Sequence, residues 1–416
     1  MNGAKFTFVA CMAVSAFDAA TASDLSNALL QNGGGYSLRS HPEYNAHGIR
    51  HANWIFMPSL TSGLSFDSNL YKTKDHQESS MVGLFAPALS INSEMSRHRI
   101  HFGLSGQRKQ AFSNSDASTL SGRASAGAQL EILKDFALDL GTSIESRQYG
   151  LGDADGSSEA KHGVRRDAYS ASARVSKVFN RLRFIGGGSV NHYNYHDVEA
   201  KDGGTIDQDA RDGTRYNLLG KVNYAFSPGF SAFASAEFDV RDWKATGTEN
   251  RDSHGFEFLT GLEVDKRGNL HGAVGIGYLR QDYDLGSRGD ISTYSFNVDV
   301  QWMPSPLLVV NFDGRQAVEE SSLDGYVSKL TSTAKVSLDY ELRRNFVISP
   351  IFSFKREDFA GTSRRDDTLR ARLETKHLIN RNLKFGAYYD FEQLKSTEAA
   401  SSYSRHLIGI NARVEY

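Results

Sequence analysis

Ile408, Ile410, Ala412, Val414 and Tyr416 alternate with Gly409, Asn411, Arg413 and Glu415. A period of two gives a strand one apolar and one polar face, whereas a helical pattern repeats near 3.6. One such strand is ordinary in a soluble sheet, but in this chain the pattern recurs from Trp54 onward with little interruption. Representative apolar stripes are Trp54, Phe56, Leu60, Leu64, Phe66; Phe136, Leu138, Leu140, Ile144; Phe230, Ala232, Ala234, Ala236, Phe238, Val240; Tyr294, Phe296, Val298, Val300, Trp302; and Leu383, Phe385, Ala387, Tyr389, Phe391. There are about eighteen, which falls in the range of bacterial transmembrane barrels.

The connections alternate in length. Short turns fall at Lys134-Asp135, Asn180-Arg181, Ser227 to Gly229, Asp265 to Asn269, Pro304 to Pro306 and Arg343 to Asn345. Longer polar stretches fall at 72–79, 147–167, 195–214, 242–254, 281–292, 315–326, 355–367 and 393–402. Short periplasmic turns and long outer loops are the arrangement of outer-membrane barrels. The sequence therefore predicts an all-β fold, a transmembrane antiparallel β-barrel of about eighteen strands of outer-membrane type, with both ends of the chain periplasmic. No run of about 18 apolar residues occurs, so helical spans are not expected. Pro58, Pro87 and Pro350 fall inside predicted strands, and bulges or breaks in pairing are expected there because proline cannot donate to a ladder.

Lys5, the apolar run Phe6 to Phe17 and Ala20-Thr21-Ala22 read as a secretory signal peptide over residues 1–22. Residues 23–52, Gly-rich at Gly33 to Gly35, are expected to be a periplasmic tail or plug, and 53–416 the barrel. The single cysteine, Cys11, lies in the predicted leader, so disulfides and thiolate chemistry are not expected in the rest of the chain. A final strand finishing on an aromatic, Tyr416, is the kind of strand the barrel assembly machinery reads.

If the apolar stripes face lipid, the intervening residues line a lumen. The candidate lining residues are Lys109, Glu145, Arg147, Lys221, Glu237, Asp239, Arg241, Asp299, Asp313, Arg315, Lys335, Asp339, Arg370, Arg372, Glu374, Lys384, Tyr388, Asp390 and Arg413. Their signs are mixed, unlike the single-sign rings of ion-selective pores. Such a wall suits a neutral or weakly charged polar solute, with Tyr388, Phe233 and Tyr193 as stacking faces for sugar rings. With 47 Lys+Arg against 49 Asp+Glu, no basic excess points to nucleic acid. No nucleotide-binding loop, catalytic constellation, metal-ligand spacing or cofactor motif stands out, so an enzyme is not expected.

The segments Tyr44 to Arg50, Trp54 to Leu60 and Phe66 to Tyr71 resemble the entry strand of the putative β-barrel porin 2 family, with its Gly-Ile-Arg, Pro-Ser-Leu and aromatic-Asp-Ser-Asn elements. Phe66 takes the aromatic slot, and His47 stands where the family often has Leu. The resemblance implies an outer-membrane barrel of a Gram-negative bacterium, often linked to exopolysaccharide export. It makes a passive conduit for a secreted polysaccharide the first expectation, with outer-membrane lipid, lipopolysaccharide and periplasmic polysaccharide-export proteins as partners. A small-solute uptake porin and a closed structural or adhesive barrel are the alternatives.

Overall fold

The computed structural model describes residues 41–153, 156, 157, 159–266, 269–286, 289–321 and 328–416. The predicted leader with Cys11, and residues 23–40, lie outside the described residues.

A tilted strand crosses a bilayer with about 9–11 residues. The strands here are longer, 13 to 16 residues each, because their ladders continue past the lipid. In chain order they are β2 (Trp54–Asp67), β3 (Ser80–Ser93), β4 (His98–Ala111), β5 (Thr119–Leu133), β6 (Phe136–Gln148), β7 (Arg165–Phe179), β8 (Leu182–Tyr195), β11 (Gly213–Ser227), β12 (Phe230–Trp243), β13 (Ser253–Lys266), β14 (Leu270–Tyr283), β15 (Ile291–Ser305), β16 (Leu308–Glu320), β17 (Ser328–Arg343), β18 (Phe346–Phe359), β19 (Arg365–Leu378), β20 (Leu383–Ser396) and β21 (Tyr403–Glu415). Short β1 (Ile49–His51) pairs with the start of β2, and β9 (Val198–Glu199) with β10 (Thr205–Ile206) makes a small hairpin in a long loop.

Each of the eighteen long strands pairs antiparallel with the next, and β2 pairs with β21 from Ser59↔Glu415 to Asp67↔Leu407. That last ladder closes the sheet into a barrel. Large exposed apolar side chains mark the outer face, among them Leu218, Ile276, Tyr294 and Ile410. Aromatics at the short-turn end, including Tyr224, Phe226, Trp302, Tyr340 and Tyr416, are exposed on the same face and form a girdle.

Several of the predicted long loops begin too early, 393–402 among them because β20 runs to Ser396. The stretch 315–326 was expected to be loop, yet β16 continues to Glu320; likewise β18 runs to Phe359 and β19 starts at Arg365, inside the expected 355–367. An apolar stripe reports contact with lipid, whereas the backbone ladder extends above it. A connection at 112–118, carrying the 3-10 turn Ser115–Ala117, had no counterpart among the predicted loops.

The prolines leave local gaps. The β3–β4 ladder has no register pair at Ala86 or Pro87, and the β17–β18 ladder skips Ser349 and Pro350. Pro58 accepts from the Tyr416 N–H at the edge of the closing ladder. Each missing N–H falls where pairing is interrupted or at its limit.

Candidate functional site

Every one of the nineteen candidate residues occupies the strand register opposite the apolar stripes, which is the lumen face. Most are bound into ladders of charge. Glu145 lies 3.4 Å from both Arg123 and Arg166. Lys221 donates to Glu263 at 2.9 Å, two strands away. Asn217 donates to Glu237 at 2.9 Å. Asp239 accepts from Arg241 at 2.7 Å and lies 3.4 Å from Arg215.

On the opposite wall Arg370 makes a two-pronged contact with Asp390, which also lies 3.4 Å from Arg372, itself 3.3 Å from Glu374. Near the short-turn rim Glu415 joins Lys384 and Arg413. Asp299 and Asp313 face each other across the β15–β16 ladder, and Lys335 stands 3.6 Å from Asp313. Asp339 accepts from Ser349 at 2.5 Å. Arg315 is in register with Asn297 and Thr333. Lys109 has no ion-pair partner within 4.0 Å among the described residues, and Arg147 lies over the Tyr149 ring at 4.9 Å.

Where its charges are paired, such a wall is polar yet locally neutral. Paired charges present alternating short-range dipoles to the lumen rather than a field of one sign.

The expected stacking faces are occupied. Lys221 sits 4.5 Å over Phe233, and Arg372 4.6 Å over Tyr388. Tyr193 has Arg166 at 5.3 Å and a parallel Trp243 at 6.3 Å from its ring centre. Each ring has been used to hold a cation or another ring of the wall.

Both rims carry chain that leaves the wall. At the short-turn rim, residues 41–48 lead from the end of β17 to β1 beside β2. Gly48 lies on the lumen side of β2, where a Cβ would come within 2.6 Å of Ile55 Cγ2, and its φ of +69° is one that side chains resist. Seven residues away, His41 Nε2 is 3.0 Å from the buried Glu341 carboxylate of β17, and Glu43 pairs with Arg344. Five of the eighteen inter-strand steps separate β2 from β17, about 24 Å of wall, so this segment straps one sector of the rim.

At the long-loop rim, Lys72 lies 3.0 Å from Asp153 and 3.5 Å from Glu392 of β20. Lys72 follows β2 and Asp153 follows β6, so their loops lean inward to meet. Among the described residues of the 149–164 and 196–212 loops a small apolar core forms: Ala160, Val164 and Val198 are buried against Leu151, Tyr195 and Ile206. In the 196–212 loop, exposed Asp197, Asp207 and Asp209 converge, with Asp209 held by Lys244 at 2.5 Å.

Burial pushes the Asp153 carboxyl up, but the Lys72 ammonium and the Gly150 N–H outweigh it and bring it down to about 2. A carboxyl depressed in the folded state stabilises above its unfolded value of 3.8 and loses that contribution as pH falls toward about 2. The loop contact is therefore expected to be insensitive to pH between about 5 and 9. Spin labels on the 68–79 and 149–164 loops should report a constant distance over that range and separation only below about pH 3; separation already at pH 5 would contradict the pairing.

Sequence reasoning missed Glu263, Asp67, Arg405, Lys72, Asp153 and Glu320; it placed Glu341 on the lumen face but missed its contact with His41. Glu263, Asp67 and Arg405 lie in lumen register on the wall strands and were legible by parity; the others depend on chain that leaves the wall.

The family model described as putative beta-barrel porin 2 matches residues 41–416. The chain belongs to that family. No curated protein matches it. Among solved structures, the β-barrel porin 2 chain is similar to a mutant of the ferric enterobactin receptor PfeA from Pseudomonas aeruginosa, with 7% identity over 86% of this chain and 80% of that one, at a TM-score of 0.45. It is similar to the siderophore receptor PirA from Acinetobacter baumannii, with 7% identity, 87% and 80% coverage and a TM-score of 0.45. The copper transporter OprC gives 8% identity, 86% and 80% coverage and a TM-score of 0.46. At these identities nothing about ligand passes from those proteins to this porin-family barrel.

Proposed function

We propose that this barrel is a passive outer-membrane conduit for a hydrated polar solute, and that the solute is a secreted exopolysaccharide. The observation that carries this reading is the locally neutralised lumen wall, built of cross-strand ion pairs such as Arg370 with Asp390 and Lys221 with Glu263. A neutral or weakly charged polymer meets neither a repelling ring nor a deep ionic trap on such a wall. Eighteen strands belong to the size class that leaves an aqueous channel. The strap of residues 41–48 at the short-turn mouth fits a conduit that a periplasmic export partner opens. Lipopolysaccharide around the outer face and the barrel assembly machinery at β21 complete the proposed set of partners.

A second reading, a small-solute uptake porin, draws on the inward-leaning 149–164 loop and its Asp153–Lys72 contact. Single-channel conductance in a planar bilayer separates them. Long neutral oligosaccharides added from the periplasmic side are expected to block the current in discrete events, and acidic ones less so. Block by monosaccharides or amino acids alone would favour uptake, and a folded barrel with no conductance in any variant would overturn both.

A further inference from the structure

The β15–β16 ladder is the shortest of the eighteen wall ladders. Its register pairs end at Asn297↔Arg315, although β15 continues to Ile291 against β14 and β16 continues to Glu320 against β17. Above that last pair the two strands are no longer joined. The edge of β16 goes inward instead. Arg241 of β12 donates from Nη2 to the Val318 carbonyl at 3.0 Å and from Nη1 to Glu320 Oε1 at 2.6 Å. Tyr283 of β14 reaches the same Glu320 oxygen at 3.5 Å.

Strands lie about 4.8 Å apart, so four steps from β12 to β16 make about 19 Å of wall, too far for side chains staying on the wall to bridge. Burial agrees. Phe312 is 38% exposed on the lipid side, whereas Gln316 and Val318, of the same parity farther along β16, are 2% and 6% exposed. On the facing strands the lumen residues Ser295 and Gln281 are 1% and 2% exposed. The outward face of β16 beyond Arg315 is thus packed on the inward face of β13 to β15, and the wall overlaps itself.

We infer that this tucked edge, residues 316–320 of β16, is a movable flap that narrows the lumen in its long-loop half, with Arg241 as its latch. An unpaired strand edge needs its carbonyls satisfied, and here one guanidinium, itself held by Asp239, satisfies the Val318 carbonyl and the Glu320 carboxylate together. Releasing the guanidinium leaves the edge without those partners, and the open states are those in which the edge swings away from β12. The inference rests on the conduit reading for its consequence, a change in pore width, but the motion itself is read independently of transport.

The first measurement is the labelling rate of Val318→Cys by a membrane-impermeant maleimide, in a Cys11→Ser background, with and without Arg241→Ala or Glu320→Gln. Loss of charge-assisted hydrogen bonds is expected to raise the rate about tenfold or more. Single-channel conductance of Arg241→Ala and Glu320→Gln is expected to rise above that of the unaltered protein. Arg241→Cys with Glu320→Cys, bridged by a short bis-methanethiosulfonate linker (each thiol displacing a sulfinate to form a disulfide), is expected to restore the low level until a reductant cuts the bridge. Heat-modifiable migration on gels establishes that each barrel is folded; should Arg241→Ala fail that control, Glu320→Gln and the bridged pair carry the test. An unchanged labelling rate in folded variants would overturn the flap. Increased labelling without conductance in any variant would instead retain the flap and remove the conduit.

Discussion

Ile276→Arg is expected to cost the folded barrel about 2–4 kcal/mol, the range for a cation at the bilayer midplane on the lipid face of a barrel. Ile276 is 66% exposed and sits at the middle of β14, in register with Thr260 on one side and Phe296 on the other. Exposure of that size on an isoleucine would be a liability in water and is the normal state in a bilayer. The control is Ser337→Arg on β17, at a similar depth but on the lumen face near Asp313 and Asp339; it is expected to cost less than about 1 kcal/mol. Denaturant titration of barrels folded into liposomes gives both values. Equal costs would mean that the lipid and lumen faces have been assigned wrongly.

The second large effect is expected from Gly48→Val. Valine at a φ of +69° is strained by about 1–3 kcal/mol. The new side chain would also meet Ile55 Cγ2 and the Phe56 carbonyl, at 2.6 and 2.9 Å from its Cβ. The wall has no need of Gly48, so the barrel should fold while the strap loses its path along β2. Conductance is expected to rise, and cleavage of the freed segment by added protease to accelerate. Glu341→Gln, which keeps the shape of the His41 partner and removes its charge, should move both readouts in the same direction by less. A folded Gly48→Val barrel with unchanged conductance and cleavage would mean that residues 41–48 do not obstruct the mouth.

The strand pattern was legible because lipid imposes it. Each outward residue of a stripe such as Phe230 to Val240 faces one solvent, so side-chain type alone reports the backbone register. The same cause explains where the reading failed. Val318 and Glu320 have the parity of Phe312, but they face protein instead of lipid, so the stripe stops and the strand looks like loop. Lumen residues were found by parity, yet their partners were not: Lys221 pairs with Glu263 two strands away, a choice set by side-chain reach and barrel curvature. The stacking role expected of Tyr193, Phe233 and Tyr388 gave way to local packing, because an aromatic ring in a wall rich in Arg and Lys acquires a cation on its face.

Seventeen of the wall ladders join wall strands consecutive in the chain, and one, between β2 and β21, joins residues as far apart as Ser59 and Glu415. The entropy of bringing distant segments together is therefore concentrated in a single event, while the other ladders form between neighbours at small cost. Refolding should then show two clocks: rapid growth of strand content, followed by a slower gain of resistance to detergent and heat as that one ladder forms. Changes confined to the β2 and β21 edges, such as the Asp67 contact with Arg405, should slow the second clock and leave the first alone.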